Sequence, residues 1–380
     1  MIREYNQMLA KFSVKNFRNF DEWVEFSFET DRSYEFNTDI ISENGLVKHS
    51  MIYGVNGSGK SNLGLAIMDL TCHTQDIIVS KNLKSNYQCG CVDEDMAEFI
   101  YEFKFGDDKI VYKYGKKQVL VTEYECLTIN EKEVVSFDRN KSSIIKLDLA
   151  GTEHLKTDLS SSLISAIKYI SSNSVLDEDD KHSALFLKFI DFISGMVFFR
   201  TLTRTADYHG LSIDTPMSMS SDIIKNEKLS DFEKFLNECG IKCKLVAIKD
   251  GDEDRIAFDY GNKTVEFTLA ASTGTLSLGV FYYWWMKVES GELKFVYVDE
   301  FDAYYHYKLA RAIVSKMSNT IGQTVLTTHN ISLLSNSLLR PDSYFVLHEN
   351  KQYPFYKLVD KELRQAHNLE KIYKGLKYVF

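Results

Sequence analysis

The stretch Met51-Ile-Tyr-Gly-Val-Asn-Gly-Ser-Gly-Lys-Ser-Asn62 decides the fold. From Gly54 to Ser61 it reads G-x-x-x-x-G-K-S, directly after the apolar run Val47–Tyr53. Glycines at 54, 57 and 59 let successive backbone N–H groups, those of Asn56 and Ser58 among them, turn inward around the β- and γ-phosphates of a nucleotide. Lys60 adds a point charge, and the Ser61 hydroxyl can ligate Mg²⁺. A helix is expected to open here and run through Asn62–Leu70, so that its positive dipole end faces the same phosphates. The prediction is an α/β protein that binds a nucleoside triphosphate through Gly54, Asn56, Gly57, Ser58, Gly59, Lys60, Ser61 and Asn62.

The second half of the chain supplies acids and further anion contacts. Leu293-Lys-Phe-Val-Tyr-Val-Asp-Glu300 alternates as a strand and ends in two carboxylates. Beside a phosphate loop, Asp299 is expected to hold Mg²⁺ through water and Glu300 to orient the attacking water. Gly322–His329 is another buried-looking strand, and it delivers His329 to the carboxyl edge where open α/β sheets bind ligands. A γ-phosphate contact is the expected role of His329. Ala271-Ser-Thr-Gly-Thr275 precedes the apolar run Leu276–Met286, so Ser272 and Gly274 form a second helix-start anion site.

Phosphate loop, Ser-x-Gly, Asp-Glu and His occur in the order that resembles ATPases of the ABC type, including the SMC, RecF and OLD groups. From end to end the chain resembles the bacterial AAA-type ATPases of the RloA-like, abortive-infection group. Four places carry this: Phe12-Ser-Val-Lys-Asn-Phe-Arg18; Glu123-Tyr-Glu-Cys-Leu127 with Lys132–Arg139; Asp299-Glu-Phe-Asp-Ala-Tyr-Tyr-His306; and Asn368-Leu-Glu-Lys-Ile-Tyr-Lys-Gly375. The resemblance implies an ABC-type head with ATP and Mg²⁺ as its ligands. It also implies that Ser272 and Gly274 of one subunit cap the γ-phosphate held by another, which makes a homo-oligomer of at least two copies. A Mg²⁺-sensing glutamine belongs to the same pattern, and Gln88 is the candidate. Slow hydrolysis would act as a timer on a separate effector, a nuclease or toxin, in antiphage defence. A RecF-like DNA-repair ATPase and an ATP-cemented scaffold are the competing readings.

Composition bounds these expectations. At 380 residues, with 44% hydrophobic content, the chain can bury a substantial core. A net charge of −9 without a long basic block does not indicate nucleic acid, whose phosphates call for clustered Lys and Arg. No apolar run is long enough to span a membrane, and Met-Ile-Arg-Glu-Tyr lacks a signal peptide's apolar segment. A cytoplasmic location is expected, with the six cysteines reduced and forming no disulfide framework. Cys72-His73 with Cys89-Gly-Cys91 matches no common zinc spacing.

Three segments organise the chain. Residues 1–150 carry the phosphate loop, an N-terminal hairpin over Met8–Phe28 and an alternating β-meander over 98–138. Lys109–Lys117 within the meander reads as a solvated strand face. Residues 151–240 read as a compact helical insertion without sustained heptads, with helices at Leu155–Ile170, Ala184–Ile193 and Asp222–Cys239. Residues 241–380 complete the head. There Asp250-Gly-Asp-Glu-Asp254 is read as a hairpin turn rather than a Toprim-type metal site, and the stretch after His329 is too short for a nuclease domain. Thr201–Ser220, preceded by Arg200 and containing Arg204, reads as a surface loop.

Overall fold

Strand β3 (His49–Tyr53), which feeds the phosphate loop, is buried at every position, as a strand covered on both faces must be. The structure is a computed structural model that describes residues 6–75, 86–159, 163–200, 208–210 and 219–376. In it β3 lies inside a seven-stranded sheet. The other members are β9 (Met196–Arg200), β10 (Tyr208–Gly210), β14 (Phe295–Asp299), β15 (Gln323–Thr328), β16 (Tyr344–His348) and β17 (Lys351–Pro354), in the order β10-β9-β14-β15-β3-β16-β17. The five inner strands run parallel and the two edge strands antiparallel. Parallel pairing brings the carboxyl ends of β9, β14, β15 and β3 to one edge, and with them Arg200, Asp299, Thr328 and Tyr53.

A second sheet is antiparallel throughout: β1 (Gln7–Lys15), β2 (Val24–Ser27), β4 (Ala97–Phe105), β5 (Asp108–Gln118), β6 (Val121–Ile129), β7 (Lys132–Asp138) and β8 (Ser142–Leu147), in the order β2-β1-β4-β5-β6-β7-β8. Helix α1 (Lys60–Thr74) is sandwiched between the two sheets. Its Leu63, Ala66 and Ile67 share one core with Phe99 and Tyr101 of β4 and with Phe198 and Tyr297 of the parallel sheet. Every residue of α1 from Leu63 to Thr74 is buried, so the helix is enclosed on all its faces. Because strand side chains alternate between faces, Val296 and Val298 of β14 point the other way. They pack in a second core with α5 (Leu229–Glu238), α7 (Thr273–Glu289) and α8 (Tyr307–Met317). The predicted class, a parallel-core α/β head with an antiparallel meander, is the fold observed, and among the described residues no long coiled coil occurs.

Several local expectations are corrected. Among the described residues of the helix expected over Leu155–Ile170, only α2 (Ala166–Asn173) is helical; residues 157–159 pair with β8 instead, through Ile145 N–H to Thr157 O and Leu159 N–H to Ser143 O. The acidic turn does start α3 (Lys181–Ser194), capped by Asp180. The helix expected over Asp222–Cys239 is broken into α4 (Met219–Lys225) and α5 by Glu227, whose φ of 56° no helix accommodates. Strand β9 was not foreseen, and it enters the parallel sheet from within the stretch read as helical. The loop reading of Thr201–Ser220 falls mostly outside the described residues. Asp250–Asp254 is the expected hairpin, joining β11 (Leu245–Asp250) to β12 (Glu253–Asp259), which β13 (Thr264–Glu266) pairs in turn before the short α6 (Phe267–Ala270).

Lys116 is not on a solvated face. It shares the parity of Ile110, Tyr112 and Tyr114, so β5 turns it inward, where its ammonium lies 2.9 Å from Asp69 of α1. Both side chains are fully buried, and Tyr87 and Tyr114 hydroxyls complete the carboxylate's hydrogen bonds. The side chains of Cys89 and Cys91 lie against each other.

Candidate functional site

Backbone freedom builds the anion cradle. Gly57 and Gly59 have φ of 80° and 99°, a region L side chains rarely enter. A Cβ on Gly54 would lie 2.7 Å from the Leu347 carbonyl oxygen. One on Gly59 would lie 2.7 Å from Asn19 Nδ2, so the loop has no room for side chains there. No side chain caps the start of α1, and Ser58 Oγ is buried without a hydrogen-bond partner. A buried hydroxyl without a partner at the start of a helix is what a missing anionic ligand leaves behind. Lys60 folds back on the loop, donating from Nζ to the carbonyls of Gly54 at 2.8 Å and Val55 at 3.1 Å. Burial moves its pKa down to about 8, against the pull of Asp299 and Glu300.

Opposite the loop, β14 ends in Asp299, which is 1% exposed. Its Oδ2 accepts from Ser61 Oγ at 2.7 Å and from Arg200 Nε at 2.9 Å, and its Oδ1 from Thr327 Oγ1 at 2.8 Å. Tyr297 ties the two elements together, its hydroxyl donating to the Lys60 carbonyl at 2.6 Å. A hydroxyl and a carboxylate oxygen this close are the hard donors that a small divalent cation prefers. Ser61 and Asp299 therefore offer donors that fit Mg²⁺.

Glu300 follows in the left-handed region, at φ 50°, with its N–H donated to Thr327 Oγ1 at 2.8 Å. Such a conformation costs about 1–3 kcal/mol for a residue with a Cβ and persists only where surrounding contacts impose it. It turns the carboxylate off the strand and toward His329, whose Nε2 is 3.8 Å from Glu300 Oε1. Burial and then Lys60 lower the His329 pKa, while Glu300 and a backbone hydrogen bond to Gly54 oppose them. His329 is thus linked to both sides of the site.

The remaining expected residues divide. Asn62 joins the cluster: its Oδ1 accepts from Arg18 Nη1 at 3.1 Å, and its amide reaches Asn19, which bonds Asn350 at 2.7 Å. Ser272 caps its own helix, accepting from Thr275 N–H at 3.3 Å, and Gly274 lies beside Tyr304. Neither is hydrogen-bonded to the phosphate loop within this chain. Gln88 is not drawn in either; its amide donates to the carbonyls of Lys117, at 2.8 Å, and Asp95. Arg18, Asn19, Arg200 and Thr327 belong to the cluster but were not named as site residues. Arg18 lies in the N-terminal motif and Arg200 beside the Thr201–Ser220 stretch, and neither position carries a local signal of a ligand. For Thr327 a signal is available, because it lies near the end of the strand that delivers His329.

A family model described as "AAA domain, putative AbiEii toxin, Type IV TA system" matches residues 50–335. No curated protein matches the chain. Among solved structures it is similar to an SMC head bound to the C-winged helix domain of ScpA, with 15% identity and a TM-score of 0.47, over 91% of this chain and 96% of that one. It is similar to the SMC head domain from Thermotoga maritima, with 15% identity and a TM-score of 0.43, over 90% and 97%. The recombination mediator RecF in its ATP form gives 15% identity and a TM-score of 0.40, over 90% and 98%.

Proposed function

Because the chain belongs to this AAA-domain family, whose model spans most of its length, we propose that it is an ATPase that oligomerises around ATP and regulates a separate toxic effector in antiphage defence. The observation that carries the enzymatic part is the buried Asp299 carboxylate. It is shared by Ser61 of the phosphate loop and Thr327 of the neighbouring strand, with Glu300 held next to it in a strained conformation. Lys60 and the N–H groups of the loop bind the triphosphate. Mg²⁺, held by Ser61 and Asp299, supplies charge neutralisation at the phosphate oxygens when bound. Glu300 orients the water, and His329 positions Glu300 against the loop. Ser272 and Gly274 serve the site of a second copy, as their exposed or half-exposed position beside Tyr304 supports. The effector part rests on the family description, which names a toxin and a type IV toxin–antitoxin system.

Glu300→Gln tests the reading. Hydrolysis should fall by about 10²- to 10⁴-fold, the usual contribution of a positioned general base, while ATP binding is retained. Lys60→Ala should lose binding. Tagged Glu300→Gln, purified from its native host with ATP and Mg²⁺, should bring down a stoichiometric protein that is toxic when expressed alone. Normal turnover by Glu300→Gln would remove the assignment of Glu300. Salt-sensitive DNA with no protein companion would favour a repair role instead.

A further inference from the structure

Arg200 is the last residue of β9, and in the parallel pairing of β9 with β14 its register partner is Asp299. The backbone therefore delivers a guanidinium to the carboxylate that faces the phosphate loop. Its Nε sits 2.9 Å from Asp299 Oδ2, the same oxygen that accepts the Ser61 hydroxyl. A nearly fully buried carboxylate is costly without a cation, and Arg200 meets that need while its own side chain stays partly exposed, at 31%. Lys60, another cation of the site, is turned away onto the Gly54 and Val55 carbonyls. Arg18 is close enough to Arg200 for the two charges to repel, so the guanidinium is held among like charges by Asp299.

We propose that Arg200 is a built-in occupant of the divalent-cation position, and that Mg²⁺ must displace its guanidinium from Asp299 Oδ2 before the nucleotide site is competent. This rests on the reading of Ser61 and Asp299 as the holders of Mg²⁺. The physical basis is competition for one oxygen: a guanidinium and a divalent cation repel each other, and a carboxylate already neutralised by one attracts the other less. Arg200 thus sets the Mg²⁺ threshold of the site. It also shields the empty phosphate loop from a bare carboxylate that would repel incoming triphosphate.

The test is a titration of fluorescent ATP binding against Mg²⁺, with binding rather than turnover as the readout. Arg200→Ala should lower the Mg²⁺ concentration for half-saturation by about fivefold or more, the low end of typical coupling between ligands. It should also weaken binding of Mg²⁺-free ATP. Arg200→Gln keeps a hydrogen bond to Asp299 without the charge, and serves as the second variant should the alanine form fail to fold; it should shift the threshold in the same direction. An unchanged Mg²⁺ threshold in a folded variant overturns the proposal. So does equal loss of ATP affinity with and without Mg²⁺, which would make Arg200 a phosphate ligand. Failure of the underlying reading looks different: the wild-type protein would then bind ATP without Mg²⁺ dependence, or Lys60→Ala would bind as well as wild type.

Discussion

Single residues at the parallel-sheet edge hold their chemistry through burial. Asp299 and Glu300 are both held by Thr327 of the neighbouring strand, and burial lowers the Lys60 pKa. His49, the first residue of β3, shows the same principle away from the site. Its Nδ1 lies 2.9 Å from Thr324 Oγ1, and burial, helped by Lys48, pushes its pKa from 6.5 down to about 3. The unfolded chain therefore binds a proton that the folded chain refuses. Stability contributed by neutral His49 is present above pH 6.5 and is lost as pH falls toward 3. By pH 5 the loss should reach about 2 kcal/mol. Urea unfolding at pH 7 and pH 5 should show it in the wild type, and His49→Asn should lack that increment. Equal losses in both proteins would mean that His49 protonates in place.

At the scale of elements, α1 has to pass closely over the strands that carry the acids. Gly64 makes this approach possible: a Cβ there would lie 2.6 Å from Tyr297 Cε1 and 2.7 Å from Phe198 Cε2. Helix propensity alone favours Ala over Gly by about 1 kcal/mol. Overpacking against two buried rings costs about 1–3 kcal/mol, and the rings cannot retreat into a filled core. Gly64→Ala should therefore lower the midpoint of chemical unfolding and weaken ATP binding, because α1 and Asp299 are pushed apart. A raised midpoint would show that the rings give way. The buried pair of Lys116 and Asp69 fixes the same helix to the meander from its other side, so α1 is clamped between both sheets.

For the whole molecule, the phosphate loop and the Ser272–Gly274 helix start are separate features of one chain. Near the latter, Leu269 and Tyr304 are 79% and 39% exposed. Glu300→Gln with ATP and Mg²⁺ should double in mass by light scattering. Adding Ser272→Arg should return it to a monomer without loss of ATP binding, since Ser272 is exposed and, among the described residues, its hydroxyl bonds within its own helix start. Persistence of the dimer would place the interface elsewhere.

What the amino-acid sequence determined alone is the chemistry that local backbone imposes. The glycine spacing of 54–61 makes a phosphate loop wherever it occurs between a strand and a helix. The alternation ending at Asp299 makes a strand with acids at its tip, and Ser272 starts a helix because its hydroxyl can cap one. Tertiary structure decided the rest. Arg200 and Asp299 are 99 residues apart and meet only because β9 and β14 pair in register. Met196–Arg200 carries no signal separating a parallel core strand from the apolar end of a helix, so its place could not be read locally. Lys116 became an interior cation because α1 offered Asp69 at the matching height. Such pairings depend on the free energy of partners brought together across the fold, and no single segment encodes both members.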